Sequence, residues 1–169
     1  TELAQLSLNN YELTGVVPTE LGRCTALTEL LLEHNRLKHR IPTQLGLLTN
    51  MEQLCLNSNA LTGPIPPELQ HMTKLWYLHL DHNALTGTVP RVLWLALKAK
   101  ANSIKLNNNE LSGDIIMPPY RGEWKFDSYL TTIDVSANNF TGSPVALLKA
   151  AARTTDEGSC LSLIHISEP

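Results

Sequence analysis

The sequence lacks most of what marks a catalytic or nucleic-acid-binding chain. Its charges nearly cancel: 13 Lys and Arg stand against 16 Asp and Glu in 169 residues, a formal net charge of −3. That balance leaves no electrostatic footprint for nucleic acid or for an anionic membrane surface. No apolar run reaches the roughly 18 residues that a membrane span needs. Cysteine is scarce and odd in number: Cys24, Cys55 and Cys160 cannot form a complete disulfide framework and leave the redox compartment open. There is no nucleophile–base–orienter pattern, no Gly-rich phosphate loop and no HExxH helix. These absences argue against an enzyme and against a bound cofactor in this segment. The hydrophobic share of 43% with only 17% charged residues excludes a disordered chain, and the length corresponds to one domain.

Two residue types are in excess. Leu occurs 31 times and Asn 13 times, which signals internal repetition. Aligned on LxxLxLxxNxL, the chain falls into six units that start near residues 3, 27, 51, 75, 101 and 130. The unit Leu27, Leu30, Leu32, Asn35, Leu37 is repeated as Met51, Leu54, Leu56, Asn59, Leu61 and as Leu75, Leu78, Leu80, Asn83, Leu85. Ala101, Ile104, Leu106, Asn109, Leu111 and then Leu130, Ile133, Val135, Asn138, Phe140 follow at wider spacing. The LxL core predicts a short strand whose side chains alternate between faces. One such strand cannot bury its apolar face alone, and stacking six in parallel buries a continuous core. Asn35, Asn59, Asn83, Asn109 and Asn138 sit where each strand turns away. They are read as a structural ladder satisfying the backbone of adjacent units, not as ligand binders.

The second half of each unit is regular too. Leu13-Thr14-Gly15-Val16-Val17-Pro18 recurs as Leu61-Thr62-Gly63-Pro64-Ile65-Pro66 and as Leu85-Thr86-Gly87-Thr88-Val89-Pro90. Gly permits a tight or positive-φ turn, Pro sets φ beyond it, and the short segment that follows predicts a helical or 3₁₀ turn. With this pattern complete, the chain resembles the plant-type leucine-rich repeat, LxxLxLxxNxLTGxIPxxLGxLxx. The match is closest in QLCLNSNALTGPIPPEL (53–69) and YLHLDHNALTGTVP (77–90) and covers roughly residues 1–148. The resemblance implies an α/β solenoid: a right-handed superhelical arc with a parallel concave sheet and short 3₁₀ or helical convex turns. It implies a protein or peptide ligand on the concave or lateral face, no catalysis by the repeats, and an extracellular or cell-surface setting like that of receptor-like kinase and receptor-like protein ectodomains. An intracellular scaffold and the sensor part of a kinase stay open beside that reading.

Departures from the pattern carry their own expectations. Tyr11 replaces the ladder Asn of the first unit. Lys38-His39-Arg40 and Asp114-Ile115-Ile116-Met117-Pro118-Pro119 break the second half of units two and five, so a distorted or missing second strand is expected there. The stretch Tyr120–Tyr129 holds four of the nine aromatics, which makes it either a loop over the core or a partner-specific excursion. Val92–Leu97 reads as a longer convex helical turn with mainly structural apolar positions.

The variable strand positions supply the candidate binding surface. Glu29, Leu31, Glu33, Glu52, Gln53, Trp76, Tyr77, His79, Asp81 and Lys105 are its named candidates. Its acids outnumber its one lysine, which favours a basic or polar partner. Trp76 and Tyr77 are either binding anchors or inter-repeat packing. His34, His79 and His82 are too widely spaced for the usual closed zinc set, so no metal is expected and pH sensitivity is the better reading. Cys24 is read as a buried thiol in the inward slot of a convex turn, and Cys55 as a concave-face residue. The single sequon, Asn139-Phe140-Thr141, is a glycosylation acceptor if the chain is exported.

Both ends break the logic. The pattern is already running at Leu3 without a cap, so the chain reads as a fragment. Residues 149–160 are ambiguous between a helix end and a tail. Residues 161–169, LSLIHISEP, read as lying outside the repeat and match, residue for residue, the translation of a transposase-type sequencing adapter, CTG TCT CTT ATA CAC ATC TCC GAG CCC. A foreign origin is therefore expected. Genomic DNA sequenced across Gly158 tests it, and finding LSLIHISEP encoded there overturns it. Without everything after Arg153 the acids fall from 16 to 13 and the net charge vanishes.

Overall fold

The computed structural model describes residues 3–97, 101–114, 131–141 and 163–165. Among these, seven short strands lie side by side in chain order: Gln5–Ser7, Glu29–Leu31, Gln53–Cys55, Tyr77–His79, Ser103–Lys105, Thr132–Asp134 and Leu163–His165. Every pairing is parallel and in the register of the repeat, with Leu6, Leu30, Leu54, Leu78, Ile104 and Ile133 as one row. Leu30, Leu54, Leu78 and Ile104 are fully buried, as are Leu56 and Leu80 two residues further along. Period-two alternation thus sends one row to the core and the next to the open face of the sheet. The arrangement is a leucine-rich-repeat solenoid.

A second parallel sheet runs along the flank, built from Thr14–Gly15, Arg36–His39, Ala60–Gly63, Ala84–Gly87, Glu110–Asp114 and Asn139–Thr141. The expected defects in units two and five are absent. Arg36–His39 pairs with both neighbours, and Glu110–Asp114 is a full strand. The reason is that His39 takes φ +67° where Gly15 has +89° and Gly63 +75°, so a histidine performs the left-handed turn that glycine performs elsewhere. Unit five keeps Gly113 at +77°.

The convex side is made of 3₁₀ turns at Thr19–Arg23, Thr43–Leu47 and Pro67–His71, followed by the helix Arg91–Leu97. Pro18, Pro42 and Pro66 hold φ near −64° just before the 3₁₀ turns and deliver the chain in extended conformation. In the helix Leu93, Trp94 and Leu97 are buried, while Val92 and Leu95 are exposed. Cys24 is half-buried, a free thiol packed against the core.

The ladder joins the two sheets. Asn59 Nδ2 donates to the Leu32 and Leu56 carbonyls at 2.9 and 3.1 Å, while its Oδ1 accepts from the Leu37 amide at 3.0 Å. Asn35, Asn83, Asn109 and Asn138 repeat this bonding, and Asn35 Oδ1 also takes the Tyr11 amide. Each ladder Asn follows a residue in the left-handed region: His34, Ser58, His82, Asn108 and Ala137, with φ between 50° and 56°.

Leu163–His165 forms a strand paired with Thr132–Asp134, Ile133 opposite Ile164. The stretch Tyr120–Tyr129, residues 149–160 and Cys160 lie outside the described residues. No helix among the described residues is long and apolar enough to cross a membrane.

Candidate functional site

Strand register arranges the open-face positions into rows whose successive members, one per strand, are about 4.8 Å apart. One row runs Gln5, Glu29, Gln53, Tyr77, Ser103, Thr132, and the next runs Ser7, Leu31, Cys55, His79, Lys105, Asp134. Trp76 and Glu52 come just before their strands and are tied together by the backbone. The Trp76 and Tyr77 amides both donate to the Glu52 carbonyl, at 2.7 and 3.0 Å.

The candidate residues separate by accessibility. Glu52 and Trp76 are exposed, and Glu29, Leu31, Glu33, Gln53, Tyr77, His79 and Lys105 are half-buried. Asp81 is only 7% exposed. Its Oδ2 lies 2.9 Å from His82 Nδ1, and its Oδ1 is buried with no hydrogen-bond partner. Glu33 Oε2 and Asn107 Oδ1 are buried in the same way. These acceptors colour the field of the face but are withdrawn from direct contact with a ligand. Sequence spacing did not foresee this, because burial here depends on how side chains of adjacent strands crowd each other.

The centre of the face is an aromatic and polar cluster. The Trp76 and Tyr77 rings sit 6.5 Å apart at 56°, and Tyr77 meets His79 edge-on at 5.7 Å. His79 Nε2 lies 3.0 Å from Ser103 Oγ, and Nδ1 lies 4.0 Å from Cys55 Sγ. Gln53 donates to Glu29 Oε1 at 3.2 Å.

Among the described residues, Cys55 beside His79 is the arrangement that looks nucleophilic, and its electrostatics oppose that chemistry. Burial first, then Glu33 and Asp81, push the thiol up to about 12, with Lys105 the one opposing charge. An activated cysteine needs the reverse shift. Among the described residues no three His, Cys, Asp or Glu side chains are placed to hold a metal ion. His34 and His82 instead occupy left-handed turn positions before the ladder asparagines.

His79 carries a pH dependence. Burial and then Lys105 lower its pKa below 6.5, with Asp81 pulling the other way. The unfolded chain therefore takes up the proton first, so the stability linked to His79 is complete above about pH 6.5 and is lost as pH falls toward the lowered folded value. Urea midpoints at pH 7.5 and 5 are expected to differ more for the wild type than for His79→Gln. Equal differences would reject this account.

The comparisons agree with the geometry. The family model described as Leucine Rich Repeat matches residues 50–72. Comparison with curated proteins returns no significant match. Among solved structures, a plant ice-binding protein superimposes with a TM-score of 0.67 at 28% identity, over 82% of this chain and 42% of that one. The Arabidopsis receptor kinase HAESA, solved with the peptide hormone IDA and the co-receptor SERK1, gives 0.68 at 35% identity over 82% of this chain and 22% of that one. The BIR2 ectodomain from Arabidopsis thaliana gives 0.65 at 33% identity over 83% of this chain and 70% of that one. The chain thus spans less than half the length of the first two.

Proposed function

The chain belongs to the leucine-rich repeat family, and from that premise we propose that it is a ligand-recognition module of a receptor-like or secreted protein, with a peptide as ligand. The observation that carries this reading is the exposed Trp76, 36% accessible, next to Tyr77 and bonded through the backbone to Glu52, in the middle of a mainly polar open sheet face. Aromatic anchors of this kind dominate binding energy where they are central and surrounded by polar groups. The likeness to an ectodomain solved with a peptide hormone supports a peptide over other ligands. It also supports an extracellular or cell-surface setting. Binding, not catalysis, is the role the cluster supports, since the raised Cys55 thiol offers no nucleophile.

The test is to pan a random linear peptide library on the chain. Peptides that enrich are expected to bind the wild type and to lose binding in the Trp76→Ala, Tyr77→Ala double variant, whose urea midpoint confirms that it stays folded. Binding that survives in the folded double variant overturns the reading.

A further inference from the structure

We propose that the open face between the third and fourth units is a subsite for a cationic side chain, arginine or lysine, of the peptide ligand. This rests on the peptide-recognition reading above and adds the chemistry of what the site takes.

Glu52 and Trp76 are lateral neighbours fixed by backbone bonds, since the Glu52 carbonyl accepts from both the Trp76 and Tyr77 amides. The exposed Glu52 carboxylate therefore belongs to the strand position beside the indole. The Trp76 and Tyr77 rings are 6.5 Å apart and inclined at 56°. A guanidinium or ammonium placed there meets an aromatic face and a carboxylate together, a combination that an apolar or anionic group cannot use.

The charges around the site agree. Units two and three present Glu29, Glu33 and Glu52 on this face and no Lys or Arg. Gln53 directs its amide to Glu29. Among the described residues of the face the lysine is Lys105, which lies beyond the intervening strand Tyr77–His79. Lys74, which precedes Trp76 by two residues, donates to Asn50 Oδ1 at 2.7 Å. The buried Glu33 and Asp81 oxygens add negative potential without competing for contact.

The experiment extends the peptide panning. Arg and Lys are expected to be enriched over the naive library. For an enriched arginine peptide, replacing the arginine by neutral citrulline is expected to weaken binding about five- to tenfold, from one cation–π contact and one partly exposed ion pair. Glu52→Gln is expected to weaken the arginine peptide by several-fold, to leave the citrulline peptide nearly unchanged, and to keep the urea midpoint. Three results overturn the proposal. If peptides enrich without a basic bias yet depend on Trp76 and Tyr77, the cationic subsite falls and the peptide-recognition reading stands. If the arginine–citrulline difference persists undiminished in Glu52→Gln, the subsite is placed wrongly. If no peptide enriches, both readings fall.

Discussion

Replacing Asn109 by alanine is expected to destabilise the fold by about 3 kcal/mol, because it strands a buried backbone donor and removes several hydrogen bonds at once. Asn109 is 8% exposed. Its Oδ1 accepts the Leu85 amide at 3.0 Å, and its Nδ2 donates to the carbonyls of Leu80 and Leu106 at 3.0 Å and of Asn107 at 3.3 Å. The two leucine carbonyls keep a second partner, Asn83 for Leu80 and Asn138 for Leu106, so the loss there is partial. The Leu85 amide has no such reserve among the bonds described, and an unpaired buried N–H costs more than a hydrogen bond contributes. Asn109→Asp sharpens the test. It preserves the shape and the acceptor for Leu85, but it turns a negative oxygen toward three carbonyls. At neutral pH it should therefore be at least as damaging as alanine, and it should recover as pH falls and the acid is protonated. Asn139→Ala, at an exposed position on the flanking sheet, should change stability by no more than about 0.5 kcal/mol. Urea midpoints of the three variants decide. An Asn109→Asp midpoint equal to wild type at neutral pH would show that the amide donors do not hold the ladder.

That ladder, and the core rows it fastens, were legible in the sequence because they depend on spacing alone. Any chain with Leu at positions one, four and six and Asn at nine must place those side chains on the same faces, whatever surrounds them. The rest depended on contacts between units. Nothing in His34, Ser58, His82 or Ala137 announces a left-handed backbone, since glycine is the residue that usually marks it. His39 stood where a glycine was expected, and the broken motif suggested a broken strand. The strand persists because its neighbours Thr14–Gly15 and Ala60–Gly63 supply the pairing. Asp81 and Trp76 were assigned to the same surface by periodicity, yet one is buried against His82 and the other is open. Register fixes which row a side chain joins, but its accessibility follows from the size of its neighbours across two strands.

The same distinction separates two kinds of glycine, and the expected effects differ in size. Gly46→Ala should cost about 3 kcal/mol, the upper part of the range for overpacking, while Gly15→Ala should cost only about 1 kcal/mol, the price of a left-handed alanine. Gly46 has no unusual φ, so conformation alone would predict a small gain from the stiffer unfolded chain. Space reverses that sign. A Cβ on Gly46 would stand 2.5 Å from the Glu68 carbonyl oxygen, 2.8 Å from its carbon and 2.7 Å from its Cβ. All three belong to the next turn, Pro67–His71, and two are backbone atoms, so relief requires moving a whole convex turn away from its neighbour. Gly22 meets the Gln44 backbone in the same way, which makes this a contact between stacked 3₁₀ turns and not an accident of one unit. In the third turn the equivalent position is Gln70, and there the following segment is the helix Arg91–Leu97 instead of another 3₁₀ turn. Gly15, by contrast, has φ +89° and nothing within 4 Å of an added Cβ, and His39 already shows a side chain in the matching place. Thermal or urea unfolding of Gly46→Ala beside Gly15→Ala compares a steric glycine with a conformational one inside a single repeat protein. A Gly46→Ala variant no less stable than Gly15→Ala would mean that the turns can slide apart freely, and that close packing of the convex side does not hold the stack together.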